Sequence, residues 1–112
     1  MKEFMLLFRY SPHDLSHKSP EEMEAYVNKW KEWGESIAAQ GKLAKQPQRL
    51  PAEGKVLRAG GVVTDGPFVE IKEQLGGFLV VKAENLDEAT TLAHGCPVLE
   101  VSGSVEIRPL FE

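Results

Sequence analysis

The sequence predicts an α+β domain of ferredoxin-like order, β-α-β-β-α-β, with an antiparallel sheet and both helices on one face. Three observations carry this. Short apolar runs at residues 4–10 (FMLLFRY) and 77–83 (GFLVVKA) have the length and composition of strands. Two segments, opening at Ser19 and Asn85, repeat apolar residues every three or four positions, as amphipathic helices do. The strand–helix–strand pattern occurs twice within 112 residues, the length of one domain.

The elements follow in order. Residues 4–10 form the first strand, and Ser11-Pro12 stops it. Residues 13–18 read as polar loop. Ser19-Pro20-Glu21-Glu22 starts a helix: Ser19 caps, Pro20 suits the first helical position, and Glu22 completes a capping box. Met23, Tyr26, Val27, Trp30, Trp33, Ile37 and Ala38 then make one apolar stripe on a helix of about five turns. Gly41 ends it. Residues 42–54 hold Pro47 and Pro51 and show no period, so they read as loop with some extended backbone. Residues 55–59 read as a strand, broken or bulged at Gly60-Gly61 and resumed at 62–64. Asp65-Gly66-Pro67-Phe68 is turn chemistry, and 69–75 fits no single pattern. After the strand at 77–83, Asn85 caps a second helix with Leu86, Ala89, Leu92 and Ala93 on its apolar face. Gly95 and Pro97 end that helix, and residues 104–110 form the last strand.

Composition narrows the function classes. Hydrophobic residues at 42% and charged residues at 27% are ordinary globular values and argue against disorder. A net charge of −4 argues against a nucleic-acid surface. No apolar run approaches the roughly 18 residues of a membrane span. Met1-Lys2-Glu3-Phe4 does not read as a signal peptide, so a cytoplasmic domain is expected. Cys96 is the single cysteine, which excludes an internal disulfide and a multi-thiolate zinc site. His13 and His17 lie four apart in predicted loop, where that spacing has no metal-binding geometry. Neither a metal nor a cofactor is expected.

The strand faces imply a partner. Met5, Leu6, Leu7 and Phe8 are apolar on both sides of the sheet, and so are Phe78, Leu79, Val80 and Val81. Two helices cover one side only, whereas an antiparallel sheet with a wet face alternates apolar with polar. Six to eight large side chains left wet forgo of the order of 10 kcal/mol of burial, comparable with a domain's whole stability. A second copy of the sheet is the simplest cover, so a homodimer packed through the sheet face is expected.

From Thr64 to Phe78 (TDGPFVEIKEQLGGF) the sequence resembles the YCII-related, or DGPF-domain, family. The resemblance continues through Asn85-Leu86-Asp87-Glu88-Ala89 and closes with Val105-Glu106-Ile107-Arg108-Pro109. It implies a ferredoxin-like fold dimerised into an α/β barrel, and small bacterial cytosolic proteins often encoded beside sigma factors. It brings no established reaction. The His-Asp pair on which acid–base catalysis is suspected in the family falls, by spacing, near Trp30 and at Cys96, so that pair does not carry over.

Candidate site residues follow from residue chemistry. Asp65 sits in a tight turn that either bonds its own backbone or presents the carboxylate at a cleft mouth. Lys72 and Glu73 are either a solvated pair or, with Asp65, a catalytic group of two carboxylates and an amine. Arg9 either pairs with Glu106 across strands or with a glutamate of a second chain, or it binds an anion. Trp30, in the stripe with Tyr26 and Trp33, is either core or a platform for a small planar ligand, and Phe68 joins Arg9 and Trp30 as a candidate ligand contact. His94 suits a helix C-terminus, and Cys96 reads as a small buried hydrophobe. Two functions follow: a small-molecule-binding module, which the resemblance links to a sigma-factor pathway, or a cofactor-free acid–base enzyme (isomerase, lyase or oxygenase-like) using Asp65, Lys72 and Glu73.

Overall fold

The computed structural model describes residues 1–51, 53–66 and 74–111, and for Pro12, His13, Asp65 and Gly66 the backbone alone. Strand β1, Lys2–Tyr10, runs through the middle of the sheet. Its alternate residues Phe4, Leu6 and Phe8 are buried toward the helices, as a period of two requires. Instead of the expected polar loop, Pro12 opens a single helical turn, α1 (Pro12–Ser16). Proline is pre-set for the first position of a helix, so it starts this turn after stopping β1.

Helix α2, Pro20–Ala39, starts as its sequence dictates. Ser19 Oγ accepts from the Glu22 N–H and Glu22 Oε1 accepts from the Ser19 N–H, both at 3.1 Å. That reciprocal box satisfies two otherwise orphaned donors. It also holds the Glu22 carboxyl below its ordinary range, chiefly through the Ser19 backbone bond. Gly41, at φ 71°, carries the chain out of the helix.

Residues 43–49 correct the loop reading. Leu43–Arg49 is a strand, β2, on one edge of the sheet beside the strand Gln74–Ala83, here numbered β5. Its pairing is irregular, with register shifts between Leu43 and Lys45 and between Lys45 and Gln48. An edge position tolerates Pro47, because a missing N–H there costs no ladder bond. Of the two alternatives at Gly60-Gly61 the break holds and the bulge does not: the chain reverses there, and the resumed strand pairs back as a hairpin of β3 (Gly54–Leu57) and β4 (Val63–Gly66). Gly60 and Gly61, at φ 89° and 81°, make the reversal, and Arg58 N–H bonds Val62 C=O at 2.7 Å. The hairpin forms its own two-stranded sheet.

The chain then enters β5, helix α3 (Leu86–Ala93), a 3-10 turn (Pro97–Val101) and β6 (Ser104–Pro109). Asn85 Oδ1 caps α3 by accepting from the Glu88 N–H at 2.8 Å. The four-stranded sheet has the order β2-β5-β1-β6, antiparallel throughout. This is the ferredoxin-like α+β arrangement, with the β3–β4 hairpin inserted between its second and third strands. The core lies between the helices and one face of the sheet, centred on Leu6, Ile37, Leu79, Val81 and Val98. Burial there pushes the Cys96 thiol up to about 12. On the other face stand Met5, Leu7, Phe78 and Val80, because Met5 pairs with Val80 and Leu7 with Phe78. Val80 is fully buried and the other three are half-buried. Among the described residues, no helix is long and apolar enough to cross a membrane.

Candidate functional site

The N-terminal half of α2 does not close down on the sheet. A cavity of ≈ 210 Å³ opens between them. Its wall on α2 is Met23, Tyr26, Val27 and Trp30, the first half of the predicted stripe. Phe8 and Tyr10 of β1 face them, Leu15 of α1 closes one side, and Pro47, Gln48 and Arg49 of β2 form a rim.

The floor depends on two glycines. β5 carries an extra residue relative to β1, since Phe8 pairs with Gly77 and Arg9 with Leu75. Gly76 occupies that bulge. A Cβ on Gly76 would lie 1.9 Å from Tyr10 Cε1, so the Tyr10 ring rests directly on this backbone. A Cβ on Gly77 would lie 2.5 Å from the Gln48 carbonyl oxygen, so β2 is drawn in equally closely. The Gly76-Gly77 pair therefore sets both the floor and the rim.

The aromatic side is a herringbone. Trp30 stands edge-on to Phe8 at 4.9 Å between centroids, to Trp33 at 5.7 Å and to Tyr26 at 6.3 Å. Such edge-to-face contacts are favourable beyond the area they bury. Trp33 is pinned further by its Nε1–H donating to Leu92 C=O at 3.0 Å. Burial pushes the Tyr26 phenol above its ordinary value. Lys18 Nζ lies 5.4 Å from the centre of the Tyr26 ring, in cation–π range.

The predicted site residues divide. Trp30 lines the cavity. Arg9 does not: it lies between Phe8 and Tyr10 in β1 and so leaves the sheet on the opposite side. There its Nη1 donates to Glu106 Oε1 at 2.6 Å, the cross-strand pairing weighed from the sequence. Arg108 Nη1 donates to the other oxygen, Glu106 Oε2, at 3.0 Å, and the two arginines hold that carboxyl below its ordinary range, Arg108 foremost. Asp65 lies in β4 opposite Lys55, with its backbone alone described. Phe68, Lys72 and Glu73 lie outside the described residues. Arg49 and Tyr10 belong to the cavity and were not singled out from the sequence. The signal for Arg49 was topological: the fold requires a strand directly after the first helix, and Arg49 ends it. His94 caps α3 at its C-terminus and Cys96 is buried, as their sequence positions suggest. Among the described residues, no group of three or more His, Cys, Asp or Glu side chains is placed to hold a metal ion.

The YCII-related domain model matches residues 2–112, essentially the whole chain. The chain belongs to the YCII-related domain family. An uncharacterized protein of Rhizobium meliloti (strain 1021) is 48% identical over 50 residues, covering 44% of this YCII-related chain and 40% of that protein. The match thus spans about two fifths of the length of the curated relative. Among solved structures, the 5-chloro-2-hydroxyhydroquinone dehydrochlorinase (TftG) of Burkholderia phenoliruptrix AC1100, in complex with 2,5-dihydroxybenzoquinone, is similar at a TM-score of 0.54. It is 18% identical, and the alignment covers 98% of this chain and 94% of that one. At that identity the likeness is one of fold.

Proposed function

We propose that this YCII-related protein binds a small planar molecule in the cleft between α2 and the sheet. The observation that carries the reading is the half-buried Trp30 beside a ≈ 210 Å³ cavity whose other rings are Phe8, Tyr10 and Tyr26. Ring faces stack on flat ligands, and a cavity of about 150 Å³ already takes up benzene. One substituted ring is the matching size. The dehydrochlorinase that shares the fold was solved with a single-ring quinone, which supports 2,5-dihydroxybenzoquinone as the first probe. A thermal-shift titration tests the reading. At 100 times the dissociation constant a ligand stabilises by about 2.7 kcal/mol. The midpoint is expected to rise by several degrees in the wild type and to stay flat in Trp30→Ala. A panel of single-ring compounds that moves neither protein overturns it.

A second reading places acid–base chemistry in the same cleft, with Asp65, Lys72 and Glu73 as the working groups. It is favoured by one placement: β5 begins at Gln74, directly after Glu73 in sequence, and Gln74 pairs with Tyr10 on the cavity wall. Turnover that falls at least a hundredfold in Glu73→Gln, with ligand affinity kept, supports this reading. Equal turnover in the variant removes it.

We also propose a homodimer through the sheet face that carries Met5, Leu7 and Phe78. Their half-exposure is what a second sheet would relieve. Sedimentation velocity is expected to give twice the 12.4 kDa chain mass, falling to one chain in Leu7→Glu. A monomeric wild type at micromolar concentration overturns the dimer.

A further inference from the structure

Given the cleft reading above, on which this inference rests, we infer that the ligand is a single-ring aromatic anion, a carboxylate or a phenolate, whose charge is held by Arg49. The first ground is position. Arg49 pairs directly with Gly77, so its side chain leaves β2 on the helix side of the sheet, the side that Leu79 faces. Gly77 has no side chain to hold β2 off, so the Gln48 carbonyl lies where a Cβ would stand. Drawn in this way, Arg49 lies at the cavity rim, and it borders the neighbouring depression at Tyr10 and Leu15 as well.

The second ground is the sign of the charge. The chain carries 17 acidic against 13 basic residues. Yet among the described residues that line the cavity there is no Asp or Glu, and Arg49 is the cation. Lys18 places a second positive group over the ring of Tyr26, itself a wall residue. The neutral Tyr26 phenol on the cavity wall carries an O–H donor. A cleft with apolar ring walls, donors at its edge and no described carboxylate matches a flat ligand that brings negative oxygen with it. A planar guanidinium meets a carboxylate with two parallel bonds, and it takes a phenolate through one.

Calorimetric titration of the full chain with matched probes tests this. Benzoate is compared with neutral benzamide, and 4-nitrophenolate with neutral 4-nitroanisole. Each anion is expected to bind about tenfold more tightly than its neutral partner, the scale of one charge-assisted hydrogen bond. That preference is expected to vanish in Arg49→Gln, to survive in part in Arg49→Lys, and to shrink with added salt. A larger preference in the benzoate pair assigns a carboxylate, and in the nitrophenolate pair a phenolate. If the neutral probes bind as well as the anions and Trp30→Ala abolishes both, the anion inference falls while the cleft reading stands. If the anions keep their preference in Arg49→Gln, Arg49 is not the anchor. If no probe binds the wild type, the inference falls, and the cleft reading falls with it only if the rest of the single-ring panel, 2,5-dihydroxybenzoquinone included, also fails to shift the melting midpoint.

Discussion

Toward its C-terminal end α2 presents Trp33 and Ile37, which are 8% and 1% exposed. Trp33 donates to α3, and Val98, Val101 and Cys96 complete that side of the core. Toward its N-terminal end the same stripe presents one buried residue, Tyr26, and three that are not, Met23, Val27 and Trp30, all beside a cavity. The two ends share one period and one residue class. What differs is the cover: α3 and the 3-10 turn supply side chains at one end, while Gly76 and Gly77 withhold them at the other. A stripe alone does not say whether it is core or binding wall; the opposing surface decides.

That contrast can be broken or sharpened by substitution. The largest effect is expected from Ile37→Ala at the packed end, about 2–5 kcal/mol of lost stability in denaturant unfolding, because the side chain is 1% exposed and its removal leaves a void in the core. A loss under 1 kcal/mol would mean this end is not tightly packed. Gly76→Ala comes next. Its methyl meets the Tyr10 ring, which must swing off the floor. Overpacking of this kind costs about 1–3 kcal/mol, and ligand affinity is expected to fall with it, read by melting and titration together. Acid is expected to act at the open end through Glu22. Its folded pKa lies below the ordinary 4.5, so its contribution is intact above that value and is lost as pH falls through the lower, folded one. Hydrogen exchange at the first turn of α2 checks this: the wild type loosens there on acidification, whereas Glu22→Gln, already uncharged, changes less. The smallest effect is expected from Val27→Ala, within about 0.5 kcal/mol, since Val27 is 47% exposed at the cavity wall.

Much of the fold was legible because local chemistry and tertiary position agreed. β1 and β5 are apolar runs that lie centrally in the sheet, and both helices carry capping residues that cap as expected. The failures have physical causes. β2 is an edge strand with five exposed residues in succession and two register shifts, held by backbone pairing to β5 rather than by a burial pattern. Missing β2 meant missing Arg49. The hairpin stayed one of two alternatives because Gly60-Gly61 suits a bulge as well as a reversal, and positive φ at both positions selects the reversal. In the site, the aromatic wall was readable from the helical period. The floor was not, because two glycines announce what they omit only when Tyr10 and β2 are seen lying against them.

The β3–β4 arm makes the chain divisible. Its turn at Gly60-Gly61 joins an N-terminal piece holding β1, α2 and β2 to a C-terminal piece holding β5, α3 and β6, and the four-stranded sheet draws two strands from each. A cut at that tip interrupts the polypeptide without interrupting the sheet, since β1 stays laddered to both β5 and β6. Two fragments with nothing joining them have the means to recombine, and the cleft, with walls drawn from both, would reappear only when they do.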